Sequence, residues 1–276
     1  MKNKVTVLCE NTVYSNIGAM AEHGWSVFIE TVHGNFLFDT GQGLALINNA
    51  RVFKKDLSSV EGIIISHHHI DHTAGLLNAL AVTGPKNVYT HPDLFKESYN
   101  LRDNITRYIG IPFSKPALES MGANFIYNKD FKEISPGMYL TGEVPRINDF
   151  ETGDKDQVVL AGGSFKADPL LDDQSLIIET DKGLAIILGC SHAGIINVLN
   201  YAIEKTGQNR INTIIGGTHL GPVSEYQREK SIEKLKAFEI ERLGVSHCTG
   251  PKASMYLAQE FKDRFFLCNV GTVIEF

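Results

Sequence analysis

The alternation of apolar and polar residues along the chain predicts a series of short β-strands in its first and last thirds. Apolar, β-branched segments recur there and end at glycine or polar residues, which is typical of strands in a folded domain. The predicted strands are KVTVL, WSVFIET, NFLFDTG, GIIIS and NVYTH, then SLIIET, LAIILGC, NTIIGG, GVSHC, RFFLC and TVIEF.

Between several of these segments the apolar residues recur with helical spacing. Residues 225–243, EYQREKSIEKLKAFEIERL, predict an amphipathic helix whose many charges form a solvated face. The residues near its apolar face are Ile232, Leu235, Phe238 and Leu243. Strands and helices are therefore mixed throughout, and the predicted fold class is α/β.

Two segments of the chain resemble each other. SVFIETVHGNFLFDTG begins at Ser26 and SLIIETDKGLAIILGC begins at Ser175. Each reads as a strand, a short turn with glycine, a second strand and then a bend that carries reactive residues. The likeness predicts two similar β-rich halves that face each other across a shared core, with a site where the strand ends of both halves meet.

The proline content and the hydrophobic periodicity of the sequence change between these halves. Six of the nine prolines lie between Pro92 and Pro169, and clear periodicity fades there. We predict a single domain over residues 1–276, with an insertion lobe at 92–169 that shapes a substrate pocket. A plain connecting lobe is the alternative interpretation.

Composition narrows the classes of partner and location. The chain has 276 residues, of which 43% are hydrophobic, and a formal net charge of -6. An acidic balance argues against nucleic acid and against anionic membrane surfaces, because both attract basic proteins. No apolar run approaches the roughly 20 residues that span a bilayer, and the four cysteines form no CxxC pair. These features predict a cytoplasmic protein with a small-molecule substrate; they leave the oligomeric state open.

The segment SHHHIDHTAG at residues 66–75 concentrates four histidines and an aspartate within seven positions. In an extended segment alternate side chains share a side, so His67, His69 and Asp71 can converge, while His72 joins from the start of the next helix. Zinc-type cations favour such nitrogen and oxygen donors. This loop predicts two neighbouring metal sites that it cannot complete alone.

Further histidines follow predicted strands elsewhere in the chain. His192 in LGCSHAG and His247 in VSHCTG each come between an apolar strand and a small-residue turn, where ligands in α/β sites commonly lie. We predict both as metal ligands. His219 in IIGGTHLGP is predicted near the pocket as a substrate-binding or proton-transfer group, and His23 and His33 are interpreted as structural.

Asp39 in LFDTG also ends a predicted strand. We predict that its carboxylate orients a metal ligand or the turn around Asp71, since carboxylates commonly hold metal-binding histidines in place.

The motif SHHHIDH is similar to the H-x-H-x-D-H signature of the metallo-β-lactamase superfamily, and LFDTG before it and GCSHAG and SHCTG after it fall in matching order. The resemblance implies an αββα sandwich, here with an insertion lobe, and a two-metal site at the strand ends. It assigns His67 and His69 to the first site and Asp71, His72 and His247 to the second. Further segments resemble a subgroup of metal-dependent hydrolases related to an archaeal dihydropterin-ribofuranosylaminobenzene phosphate synthase.

The chain departs from the family pattern at two points. It lacks the G-H-T-x-G turn that supplies the third histidine of the first site, and Gly189-Cys190 stands where members carry a G-D pair whose aspartate bridges the metals. We predict that His192 completes the first site and that the thiol of Cys190 packs beneath it. Cys190 is the alternative ligand and Asp173 a weaker one, so the bridging ligand stays open.

The resemblance implies a hydrolase in which two divalent ions, Zn²⁺ with Mn²⁺, Fe²⁺ and Mg²⁺ as alternatives, activate water toward an ester, lactone, amide or phosphoester. Asp71 and His219 are the predicted catalytic groups, and Arg146 is a candidate contact for a developing anion. A dihydropterin-condensing synthase that displaces pyrophosphate is one alternative, with a phosphate-bearing or pterin-like substrate. Its ring slot would come from Phe113, Phe125, Tyr127 and Asn128. A non-catalytic small-molecule-binding protein is the other.

Overall fold

The computed structural model describes residues 3–14, 17–102 and 105–276. The strands in these ranges are β1 Lys4–Cys9, β2 Ser26–Thr31, β3 Gly34–Phe38, β4 Val60–Ile64, β5 Lys86–Thr90, β6 Ser98–Arg102, β7 Ile105–Tyr108, β8 Ala123–Tyr127, β9 Lys132–Ser135, β10 Met138–Leu140, β11 Gln157–Ala161, β12 Ser164–Ala167, β13 Leu176–Thr180, β14 Gly183–Leu188, β15 Arg210–Gly217, β16 Glu239–Ser246, β17 Phe265–Leu267 and β18 Val273–Glu275. The α-helices are α1 Leu46–Val52, α2 Ile70–Thr73, α3 Leu76–Thr83, α4 Lys115–Ser120, α5 Ile195–Thr206, α6 Glu225–Leu235 and α7 Gly250–Phe261. Short 3₁₀ turns lie at Leu57–Ser59, Pro92–Phe95, His247–Thr249 and Lys262–Arg264.

Two seven-stranded sheets form the centre of the fold. Their orders are β18-β1-β2-β3-β4-β5-β8 and β17-β16-β15-β14-β13-β10-β9. Along β2, Val27 and Ile29 face the second sheet whereas Phe28 faces the helices, as the period-two geometry of a strand requires. Helices α1, α3 and α4 cover the outer face of the first sheet, and α5, α6 and α7 cover that of the second. The layers are therefore α, β, β, α, as the resemblance implied.

The two segments with similar sequences form equivalent parts of the two sheets. β2 and β3 pair antiparallel and β3 then pairs parallel with β4. In the second sheet β13 and β14 pair antiparallel and β14 pairs parallel with β15, which pairs parallel with β16. Because parallel strands end at the same edge of a sheet, the loops after β3, β4, β14, β15 and β16 supply one site.

The predicted insertion at 92–169 is divided among three sheets, which corrects the expectation of one lobe. β8 joins the first large sheet, and β9 and β10 join the second. The rest includes a four-stranded sheet in the order β12-β11-β6-β7, called the small sheet below. Only part of the proline-rich region is thus separate from the sandwich.

The helix predicted over residues 225–243 is too long. It ends at Leu235, and residues 239–246 form β16, which pairs in parallel with β15. Leu243 is buried on this strand rather than on the helix. Among the described residues, every helix is too short or too polar to cross a bilayer.

Candidate metal centre

The predicted site residues lie in loops that follow parallel strands of both sheets. The histidine-rich loop follows β4, and His69 precedes α2, which contains Asp71 and His72. The loops after β14 and β16 carry His192 and His247. A side chain at Gly189 would collide with Ser66, so the loops of the two sheets approach each other closely at the centre.

Three imidazoles converge at the first sheet's loop. His67 Nε2 lies 2.9 Å from His69 Nδ1 and 3.3 Å from His192 Nε2, and all three residues are buried. Burial, followed by the charge of neighbouring imidazoles, holds the pKa of each ring well below its usual range. Three neutral imidazoles whose nitrogens converge form the donor set that zinc-type ions favour, so this trio fits such a metal ion.

A second cluster lies beside the first. Asp71 Oδ2 is 3.2 Å from His247 Nε2 and 3.1 Å from His23 Nε2, and His247 Nε2 is 3.3 Å from His72 Nε2. Burial opposes the charge of Asp71, but hydrogen bonds from His23 and His247 outweigh it and hold the carboxyl pKa well below its usual range. The carboxylate and imidazoles form a donor set that suits a second divalent ion.

Cys190 lies between the two clusters. Its Sγ is 3.2 Å from His72 Nε2, and it approaches His67 and His72 on one side and His192 and His219 on another. The thiol therefore points into the centre, which differs from the expectation that it packs beneath the first site. This is a position from which one sulfur can reach both clusters.

Two carboxylates support the ligands from behind. Asp39 accepts a hydrogen bond from His72 Nδ1 at 2.7 Å and from the backbone N–H of Ser66 at 2.7 Å. Asp173 accepts from the backbone N–H of His192 at 2.6 Å, and its Oδ1 lies 3.7 Å from His67 Nδ1. Asp39 thus fixes the orientation of the His72 imidazole, whereas Asp173 holds the backbone at His192, both behind the candidate ligands.

Because His72 forms an ion pair with Asp39, we expect metal binding to depend on pH. Burial lowers the pKa of His72, but the charge and hydrogen bond of Asp39 outweigh it and raise the pKa to about 9. In the metal-free protein this ring is therefore protonated at neutral pH, and a metal ion must displace the proton. We expect zinc affinity to rise about tenfold per pH unit between pH 6.5 and 8. Calorimetric titration in buffers of different ionisation enthalpy should show proton release; an affinity independent of pH would contradict this assignment.

The middle histidine of the loop faces away from the centre into a buried ionic network. His68 Nδ1 donates to Asp172 Oδ2 at 2.7 Å, and Lys96 Nζ lies 2.6 Å from Asp172 and 2.8 Å from Asp168. The side chains of His68, Asp168 and Asp172 are fully buried. Because Ser98 of β6 donates to Asp168 and Lys96 lies just before that strand, the network ties the histidine loop to the small sheet.

Loss of the lysine should destabilise the fold strongly. Lys96→Met leaves two buried carboxylates without their cation, and breaking such a pair costs about 3 kcal/mol. We expect the free energy of unfolding to fall by that amount in urea titrations. Lys230→Met is the matched control, because Lys230 pairs with Glu233 on the exposed face of α6 and such surface pairs contribute under about 1 kcal/mol. Equal stability of the two variants would contradict the role of the network.

Four non-glycine residues at the strand ends have left-handed backbone. The φ angles are 55° at Asp39, 61° at Ser191, 53° at His219 and 51° at His247. This conformation is unfavourable for residues with a Cβ and clusters at functional sites. Here it turns the chain sharply after β3, β14, β15 and β16, which directs the loops into the centre.

A cavity of about 470 Å³ opens beside the clusters. His23, His69 and Asp71 form one side, and side chains of the small sheet, including Asn100 and Arg107, form another. Its size is that of a small-molecule site. Part of the proline-rich region therefore lies over the centre.

Three groups that the sequence predicted to contact the substrate, His219, Arg146 and the ring slot, do not line this cavity. His219 packs on His192 with ring centroids 4.1 Å apart, and neither of its ring nitrogens has a hydrogen-bond partner in the part of the chain that the structure describes. Arg146 donates to the backbone oxygen of Pro169 at 2.6 Å. The proposed ring slot is not formed: Phe113 and Phe125 pack against the core under the first sheet, Tyr127 stacks on Phe125, and Asn128 donates to the backbone of Asp130.

His23, interpreted from sequence as structural, lies in the second cluster. Its Nε2 is 3.1 Å from Asp71, its Nδ1 is 3.2 Å from Asn11 Nδ2, and its ring is 4.8 Å from that of His247. His23 does not follow a strand, so the signal that identified His192 and His247 is absent there. The backbone N–H of Trp25, two residues later, donates to the backbone oxygen of Asp71, and this bond holds the segment of His23 against α2.

Comparison with known proteins agrees with this geometry. The sequence model of the metallo-beta-lactamase superfamily matches residues 20–247. The chain is 28% identical to 7,8-dihydropterin-6-methyl-4-(beta-D-ribofuranosyl)-aminobenzene-5'-phosphate synthase of Methanocaldococcus jannaschii, over 99% of this chain and 96% of that protein. An uncharacterized protein of the same organism is 31% identical over 98% of this chain and 99% of its own length. The crystal structure of Tm1679, described as a metal-dependent hydrolase of the beta-lactamase superfamily, matches with a TM-score of 0.84 and 30% identity over 99% of both chains.

Proposed function

The chain belongs to the metallo-β-lactamase superfamily, and from that premise we propose that it is a metal-dependent hydrolase of small molecules that contain an ester, lactone, amide or phosphoester bond. The observation that carries the proposal is the pair of donor clusters beside one cavity, with ligand atoms of each group within 4.8 Å of one another. The likeness to a protein described as a metal-dependent hydrolase supports it.

We assign His67, His69 and His192 to the first metal and Asp71, His72 and His247 to the second, with Cys190 between them. Divalent ions bound there, which we propose to be two zinc ions, would lower the pKa of water and polarise the scissile group. Nitrogen-rich donors favour zinc over magnesium, which prefers oxygen ligands. The four cysteines are free thiols, which supports a cytoplasmic location.

The chain's own groups would orient the reactants and move protons. Asp71 is ionised and lines the cavity, so its carboxylate can accept a proton there. His23 contacts this carboxylate and its side chain is 62% exposed, which gives the proton a route to solvent. His219 is proposed as a proton-transfer group that acts next to His192.

A synthase that condenses a dihydropterin is the second candidate. The 28% identity to the named archaeal enzyme over nearly the full length favours it. A second cavity of about 380 Å³, lined by Glu10, Asn11, His247, Met255 and Phe265, lies next to the first and would serve a second substrate. His247 Nε2 contacts Asp71 of the first cavity, so both cavities border the same centre.

One experiment separates the candidates. Protein reconstituted with zinc, manganese or iron is analysed for metal content and assayed on chromogenic esters, lactones, β-lactams and phosphodiesters. In parallel, a dihydropterin pyrophosphate and 4-(beta-D-ribofuranosyl)-aminobenzene-5'-phosphate are supplied and pyrophosphate release is measured. Hydrolysis with close to two metals per chain supports the hydrolase, and pyrophosphate release supports the synthase. Metal-loaded protein that is inactive in both assays would reject both.

A further inference from the structure

One face of the small sheet presents a polar row to the cavity beside the metal centre. In the strand register, Gln157 of β11 pairs with Asn100 of β6, which pairs with Arg107 of β7. Paired residues on neighbouring strands point to the same face of a sheet. All three residues line the cavity, together with Arg102, which lies two positions along β6 from Asn100.

The two arginines of this face differ in their partners. Arg102 donates to Asp156 Oδ2 from Nε at 3.2 Å and from Nη2 at 3.1 Å, so its charge is already compensated. Arg107 forms no ion pair within residues 3–14, 17–102 and 105–276. Its guanidinium is therefore free to bind an anion in the cavity.

The side-chain amide of Gln157, on the same face as Arg107, is a second group that can bind a ligand. Gln157 is 7% exposed, and its Oε1 atom has no hydrogen-bond partner among the described residues. A buried amide oxygen without a donor costs about 1–3 kcal/mol. Because Gln157 lines the cavity, a ligand with a hydroxyl or amine group would satisfy this atom.

We propose that this face binds the end of the substrate that does not react. The substrate is then a small molecule with an oxyanion, either phosphate or carboxylate, that binds Arg107. A neighbouring hydroxyl or amine of the substrate donates to Gln157. The opposite side of the cavity holds His69 and Asp71, so the scissile bond would lie toward the metal centre. This substrate class rests on the proposed function, because it takes the cavity as the substrate site.

Binding of unreactive probes tests the inference without turnover. Calorimetry on the zinc-loaded full chain compares phenylphosphonate, benzoate and neutral benzyl alcohol for the native protein, Arg107→Gln, Arg107→Lys and Arg51→Gln. Arg51 is an exposed arginine on α1, outside the cavity lining, and is the matched control. Metal content and circular dichroism verify that each variant is folded and loaded.

We expect Arg107→Gln to weaken the binding of either phenylphosphonate or benzoate about tenfold and to leave the affinity for benzyl alcohol unchanged. Arg107→Lys should recover part of the loss, and Arg51→Gln should have no effect. The anion that loses more affinity identifies phosphonate or carboxylate as the preferred group. Equal affinities of Arg107→Gln and Arg51→Gln for both anions would overturn the proposal, because the anions would then bind only at the metals. Absence of turnover on every substrate would reject the proposed function and leave this titration unaffected.

Discussion

Replacing His192 with alanine is expected to remove one of the two proposed metal ions and to lower kcat/KM by at least roughly 1,000-fold. His192 supplies the third imidazole of the first cluster, 3.3 Å from His67 Nε2. A metal contributes several kcal/mol to the stabilisation of a charged transition state, and each 1.36 kcal/mol is a factor of about ten in rate. Metal analysis by mass spectrometry and steady-state kinetics on the best substrate measure the two effects.

Cys190→Ser is the matched comparison for His192→Ala. Both residues follow β14, and serine preserves the size of the side chain while removing the sulfur donor. We expect this variant to keep the metal of the first site, since that site retains its three imidazoles. Loss of that metal from Cys190→Ser, together with its retention in His192→Ala, would show that Cys190 completes the first site instead.

Asp71→Asn is expected to release the second metal and to lower kcat/KM by about 1,000-fold. Asparagine has nearly the same shape, but it removes the charge that faces His247 and His23 and cannot accept a proton in the reaction, a role worth about 10²–10⁴ in rate.

The control for this variant is Asp181→Asn in the exposed turn between β13 and β14. It makes the same chemical change away from the centre and should leave both metal content and rate unchanged. If Asp71→Asn retains two metals and full activity, Asp71 is neither a ligand nor a proton acceptor.

The large sheets could be predicted from sequence because their central strands are buried on both faces. β14 is buried at every position, so GLAIIL is apolar throughout. The edge strands β8 and β9 face solvent on one side and have mostly exposed or half-buried residues, and polar residues at an edge protect it from pairing with other chains. β9 has no apolar run and that of β8 is only three residues long, so both are interpreted from sequence as irregular chain, which placed them in the predicted insertion.

The helix predicted at 225–243 shows a different difficulty. Ile240 and Leu243 are spaced three apart and flanked by charges, which continues the helical pattern of α6. Their place in a strand is decided by parallel pairing of β16 with β15, a contact between residues about 30 positions apart in sequence. Local spacing contains no information about such pairing.

Within the centre, the motif of residues 66–75 predicted which side chains lie close together, because its spacing is local. His192 and His247 were found through the strands that precede them. His23 was missed because its loop meets α2 through backbone hydrogen bonds, which no side-chain pattern encodes. The small sheet's polar row was also not predicted, since it arises from the register of the neighbouring strands β6 and β7 with β11, which is distant in the chain.

The left-handed backbone at Asp39, Ser191, His219 and His247 has a consequence for protein engineering. Each of these residues costs about 1–2 kcal/mol relative to a relaxed conformation, and glycine would relieve the strain. Glycine at Asp39 would, however, leave His72 and the backbone N–H of Ser66 without their buried acceptor, a loss of about 1–3 kcal/mol. At Asp39 the backbone strain and the side-chain contacts therefore oppose each other, so relief of strain alone is a poor guide to a more heat-resistant protein.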